Sequence, residues 1–306
     1  MICHATVATA FAADVKNLGC GGRRPVLPSS PDPRLGGNEM TTVNTTSTFP
    51  TLSVGEVRIT ALLDVDVPFP MPIDDVFSCP PEDWAAHESR HPEAFSPDGG
   101  WRYMVTCYLV ETADRRVLVD TGCGPVSLAF PSFITAGGAL SERLGQLDVG
   151  KDEIDTVVVT HIHPDHVGGM RTPDGGPVFT RARYLVPAAD WESWSRPETQ
   201  ESFPLAFVGE TIAPLVAEGI VDLVDGERAL SDELALFPTP GHTPGSSSLR
   251  VESGGEEAML VGDVWLHPAQ VSEPALGCAF DMDPELARAT RSSMADQLAE
   301  TGISVG

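Results

Sequence analysis

Residues 161–169 read HIHPDHVGG, so three of the chain's eight histidines and an aspartate fall within six positions. Neutral imidazole and carboxylate are good ligands for zinc, iron or manganese. Side chains of an extended segment repeat with a period of two, so His161 and His163 point the same way. Pro164 favours a bend, after which Asp165 and His166 face a second point. A lone histidine is more often structural than a ligand. HxHxDH at the end of an apolar run is different, because motif and strand-to-loop context agree on a metal site.

Three other apolar runs end in a polar residue: Asp120 after RVLV, His242 after ALFPTPG and Asp263 after AMLVG. Taken singly, Asp120 in DTG is a turn residue and His242 in TPGHTPGS an incidental histidine of a Gly/Pro turn. The HxHxDH site changes that weighting for His242 and Asp263, because coordination has to be completed. His161, His163, Asp165, His166, His242 and Asp263 are more ligands than one tetrahedral ion uses. Two ions about 3.5–4 Å apart, bridged by a carboxylate and a hydroxide, would use them. His87 and His91 lie in the charged stretch WAAHESRHPEAF and read as a solvated helix face.

The elements that must position these residues follow from periodicity. Strands are expected at 56–64, 103–112, 115–122, 154–161 and 182–187, then in IVDLVD, LALFPTPG, SSLRVES and EAMLVGD. Helices are expected at 139–147, from 188, and at 283–302, where Asp283 fits the N-cap, Pro284 the first position and Gly302 the exit. Many strands, with helices late in each half, give an α/β fold of two packed sheets with helices outside. Ligating residues at strand ends then form a site at one edge.

Composition excludes some classes. With 44 acidic against 19 basic residues and a net charge of −25, the chain shows no basic patch for nucleic acid. No apolar run reaches the roughly 20 residues a membrane helix needs. The six cysteines include no CxxC pair, which points to reduced thiols in a cytoplasmic protein. Residues 1–50 are rich in Gly, Pro, Ser and Thr and read as a disordered or mis-assigned N-terminal extension, with Met1 and Met40 as alternative starts. The apolar ATVATAFAAD lacks the preceding Lys or Arg of a secretory signal. Residues 51–306 are expected to form one domain.

VDTG at 119–122, THIHPDHVGG at 160–169, PTPGHTPGS at 238–246 and LVGD at 260–263 together resemble the metallo-β-lactamase superfamily of hydrolases. The resemblance implies a four-layer αββα sandwich with the metals at one edge. It implies two divalent ions, zinc first with iron or manganese as alternatives. His161, His163 and His242 would hold one, Asp165 and His166 the other, with Asp263 between them. Asp120 would orient a histidine. GDVWLHPAQV and AFDMDPELARATR look most like the methyl parathion hydrolase and lactonase-like branch.

Two departures stand out. The lactonase branch has a tyrosine three residues after the bridging Asp, where this chain has Leu266. The family also has a further strand with a final histidine ligand after a helix like 284–301, and no histidine here lies beyond His267. The expectation is a sandwich lacking its last strand, with an incomplete second site or a chain truncated after Gly306. His267 is expected in the pocket rather than as a replacement ligand. The resulting reading is a hydrolase in which a metal-bridging hydroxide attacks an ester, lactone or phosphotriester of a small molecule. Asp165 would shuttle a proton to the leaving group, and a homodimer is compatible. The Pro- and aromatic-rich 67–84 and apolar 127–138 segments suit an uncharged substrate, or simply cover the core. The alternative function is a non-catalytic or truncated, inactive metal-binding protein.

Overall fold

The runs RVLV and TVV are buried almost throughout, as parallel strands covered on both faces must be. The computed structural model of the chain describes residues 43–44, 49–78, 81–124, 137–202 and 211–306. Most of the expected N-terminal extension, Cys79, and the 127–136 part of the apolar loop lie outside the described residues.

One sheet contains β1 (Val43–Asn44), β2 (Thr51–Val54), β3 (Val57–Pro68), β4 (Arg102–Glu111), β5 (Arg116–Val119), β6 (Thr156–Val158), β7 (Arg183–Pro187) and β8 (Val221–Val224), in that order. Its pairings are antiparallel up to β5 and parallel from β5 to β8. The second sheet has β9 (Arg228–Ala229), β10 (Leu234–Pro238), β11 (Ser247–Ser253), β12 (Glu256–Leu260) and β13 (Ser304–Val305), ordered β13-β12-β11-β10-β9.

Apolar side chains divide by face. Leu52, Ile59, Val110, Val117 and Val158 from the first sheet pack with Leu236, Leu249, Val251 and Leu260 from the second, forming the layer between the sheets. The opposite face of the first sheet, with Leu109, Leu118, Val157 and Tyr184, meets Leu140, Leu144 and Trp194 from helices. Met259 and Val261 of the second sheet meet Met294 of the helix Pro284–Thr301. The result is the αββα order of layers expected from the sequence. Each fully buried leucine contributes about 1.5–3 kcal/mol by leaving water.

The helix Pro284–Thr301 begins and ends where expected: Asp283 accepts from the Leu286 N–H, and Gly302 exits at φ 68°. Ser304–Val305 then run parallel to Ala258–Met259, and Gly306 accepts from the Val261 N–H. Ser304–Val305 thus form the edge of the second sheet beside β12.

The reading of His87 as solvated is corrected. It has no exposure, sits one turn after Trp84, and faces Glu273 at 3.2 Å. The helix Pro81–Arg90 turns this Trp84–His87 side toward Phe77, Phe95 and His267.

Candidate metal centre

Four strands, two from each sheet, deliver the chemistry at one edge. Asp120 follows β5, the His161–His166 segment follows β6, His242 follows β10 and Asp263 follows β12. The sheets meet there, with the Ser247 N–H donating to the Thr160 carbonyl at 2.9 Å. Gly262, at φ 54°, allows that approach, since a Cβ on it would lie 2.8 Å from the Thr160 side chain.

His163 keeps an extended backbone and caps a one-turn helix, Pro164–Val167, which redirects Asp165 and His166. Among the described residues, this geometry makes two donor groups with ligand atoms within 4.8 Å of one another. One is His161, His163, His242 and Asp263; the other is Asp165, His166 and Asp263. All six residues named as ligands from the sequence are thus brought together.

The first group fits a divalent cation. Donors at the corners of a tetrahedron around zinc, each about 2.0–2.1 Å from it, lie about 3.3 Å apart. His163 Nδ1 lies 2.9 Å from His161 Nε2 and 3.0 Å from His242 Nε2. Asp263 Oδ2 lies 3.2 Å from His242 Nε2 and 3.7 Å from His161 Nε2. Imidazole nitrogens converging at this range need a proton or a cation among them. In the second group His166 Nε2 lies 3.3 Å from Asp263 Oδ1 and 3.5 Å from Asp165 Oδ2. The two oxygens of Asp263 therefore serve different groups.

The electrostatics suit the same occupant. Burial and neighbouring imidazoles hold His161 well below the usual histidine range, and burial drops His163 to about 3. Burial also opposes charge on His166, but Asp263, Asp120 and Asp165 outweigh it and raise the group well above normal. For His242, hydrogen bonds to Asp263 and Asp281 overcome burial and raise it to about 9. Burial would raise Asp263, yet His166 and His161 keep its carboxyl well below the usual range.

Buried carboxylates orient the ligands. Asp120, at φ 61°, accepts from the Thr160 N–H and hydroxyl, both at 2.8 Å, and faces His166 Nδ1 at 2.7 Å. That leaves Nε2 of His166 toward the donor group. Asp281 does the same for His242 Nδ1 at 3.2 Å, backed by the buried Arg291 at 3.0 Å. Asp190, on the helix Ala188–Trp194, accepts from the Ile162 N–H, the Gly245 N–H and the Thr243 hydroxyl. It thus ties the loop of His161 and His163 to the loop of His242.

The structure does not bring His267 into either donor group. It is 1% exposed, accepts from the Ala269 N–H through Nδ1, and is ringed by Phe77, Trp84 and Phe95. Sequence reasoning missed Asp190, Asp281, Arg291 and Tyr103, whose hydroxyl meets Asp165. Phe69 packs on Tyr103, Trp101 and Phe280, placing an aromatic wall beside Asp165. The Pro- and aromatic-rich stretch was the available signal for Phe69; the other four are single residues in ordinary strand, helix or loop contexts.

The fold and this donor arrangement agree with a family model described as the metallo-beta-lactamase superfamily, which matches residues 100–301. The chain belongs to that superfamily. An N-acyl homoserine lactonase of Bacillus sp. is 26% identical over 162 residues, which is 49% of this chain and 58% of that protein. The chain thus matches under two thirds of that relative's length. Among solved structures, hydrolase AbOPH of the beta lactamase superfamily has a TM-score of 0.71 at 25% identity, covering 84% of this chain and 88% of the other. AidC, a dizinc quorum-quenching lactonase, has a TM-score of 0.66 at 22% identity, covering 84% and 90%, and shares the fold. Among the described residues, no helix is long and apolar enough to cross a membrane.

Proposed function

We propose that the chain is a metal-dependent hydrolase acting on an ester, lactone or phosphotriester bond of a small, largely apolar molecule. The observation that carries this reading is the pair of donor groups sharing Asp263. His161, His163, His242 and Asp263 would hold one ion, and Asp165, His166 and Asp263 a second, with zinc the best match to the donor types. When bound, such ions would lower the pKa of a coordinated water to about 7 and polarise the substrate oxygen.

The chain's own residues supply the rest. Asp120 and Asp281 hold His166 and His242 with the outer nitrogen satisfied, so that the inner nitrogen faces the site. Asp165 is kept ionised, because His166 outweighs the effect of burial, and it is therefore able to accept and pass on a proton. The aromatic wall of Phe69, Tyr103 and Phe280 offers an apolar flank for the substrate. Leu266, where lactonases carry a tyrosine, weighs against N-acyl homoserine lactones within this class.

The test is hydrolysis of an aryl ester, a γ-lactone and a dialkyl aryl phosphotriester by zinc-loaded protein. Rates should fall about 100-fold or more after chelation, and likewise in His161→Ala/Asp165→Ala, as several kcal/mol of charge stabilisation is lost. Unchanged rates in both would refute the reading. Tight metal binding without hydrolysis of any substrate would favour the non-catalytic alternative.

A further inference from the structure

Tyr103 on β4 is 9% exposed, and its ring is fixed between Trp101, centroids 5.2 Å apart, and Phe69, at 5.3 Å. Its hydroxyl donates to Asp165 Oδ2 at 2.5 Å, the length of a charge-assisted O–H···O⁻ bond. That same oxygen lies 3.5 Å from His166 Nε2, so it is the one facing the second donor group.

The other carboxylates around the centre are held more heavily. Asp120, Asp190 and Asp281 each meet three polar partners. Asp165 stands in the first turn of a four-residue helix, and its side chain meets the Tyr103 hydroxyl and His166. Its orientation therefore leans on a phenol whose own position is set by two aromatic rings.

We infer that Tyr103 is a positioning residue for the second ion: its hydroxyl takes one lone pair of Asp165 Oδ2 and turns the other toward His166 and Asp263. A carboxylate oxygen has two lone pairs, so hydrogen bond and metal bond are compatible on one atom. The bond also disfavours binding through both oxygens, because swinging the carboxylate to a two-oxygen geometry breaks it. This inference rests on the two-ion reading above.

The experiment compares wild type, Tyr103→Phe and Phe69→Leu as full chains. Zinc affinities for the first and second equivalents are read by competition with a chelating indicator. The visible spectrum is then recorded as cobalt(II) is added stepwise. Tyr103→Phe keeps the ring and should weaken the second equivalent about 10–100-fold, leaving the first unchanged. The second cobalt equivalent should absorb more weakly, as Asp165 binds through both oxygens and coordination number rises. Phe69→Leu loosens one of the two rings that hold Tyr103 but keeps the hydroxyl, so it should leave the first equivalent unchanged and weaken the second by much less than Tyr103→Phe does.

A second-equivalent affinity in Tyr103→Phe within about threefold of wild type overturns the inference, since loss of such a partner costs more. Equal losses in Tyr103→Phe and Phe69→Leu also overturn it, because packing alone would then explain the effect. A wild type that takes one ion sinks the two-ion reading and this role together. A wild type that takes two ions yet hydrolyses nothing sinks the proposed function only, and the comparison of variants still decides the role of Tyr103.

Discussion

Replacing Asp190 by alanine removes the acceptor that joins the two histidine loops. Ile162 and Gly245 would lose partners at 2.7 and 2.5 Å for buried backbone N–H groups, and the Thr243 hydroxyl one at 2.9 Å. Thr243 retains the Ser246 hydroxyl at 2.8 Å, so its loss is partly relieved. Each buried N–H left unpaired costs about 1–3 kcal/mol, so the two together cost about 2–6 kcal/mol. A central value near 4 kcal/mol lowers the Tm of a domain in this size class by about 8–16 °C. Asp190→Asn keeps one acceptor oxygen and should recover roughly half of that. The measurement is thermal unfolding by circular dichroism on chelator-treated protein, so that no ion props up the loops. An Asp190→Ala protein melting within about 2 °C of wild type would refute the assignment, since even one unpaired N–H should cost more.

Three other predictions concern the histidines and the carboxylates that face them. Asp120→Asn can set its amide NH₂ against His166 Nδ1, favouring the tautomer with the proton on Nε2, where the donor is needed. Affinity for the second ion should then drop about 10–100-fold, as read by chelator competition, and an unchanged affinity would remove Asp120 from that role. In metal-free protein burial opposes charge on His166 and His242, but their carboxylate neighbours outweigh it and raise both, His242 to about 9, which favours the imidazolium form at pH 7. Loading two ions should therefore release roughly two protons, measurable by calorimetry in buffers of different ionisation enthalpy, and release near zero would contradict the charge states. Because the His242 pKa is raised in the folded state, its stabilising contribution is complete below the unfolded value near 6.5. It is lost as pH rises through about 9, and first-site metal affinity climbs over the same window.

The ligands were legible because their spacing is itself the signal. HxHxDH puts four donors on one short segment, and Gly or Pro beside His242 and Asp263 marks strand-end turns. The layer order was legible for a similar reason, since β5 and β6 are short β-branched runs and the helix at 284 carries its own cap, first proline and exit glycine. The residues that aim the ligands were not legible. Asp190 is one of two acids in AADWESW, and nothing local separates it from Glu192, which is exposed rather than buried. Tyr103 reaches Asp165 across 62 positions of sequence, a proximity created only by strand pairing. His87 was misjudged because its neighbours are charged, although its one-turn spacing from Trp84 places both on the inward stripe.

The clip made by Asp190 joins partners 28 and 53–55 residues away, and His163 meets His242 over a separation of 79. No contiguous stretch of chain can therefore assemble the four-donor cage. Closing loops of this length costs chain entropy that the contacts of the finished cage must offset. A chain emerging from synthesis offers HxHxDH alone, without His242 or Asp263 to finish a tetrahedron. An ion that binds only the completed cage stabilises the native chain and not the open one. It consequently lengthens the lifetime of the native protein, by slowing unfolding, more than it hastens folding.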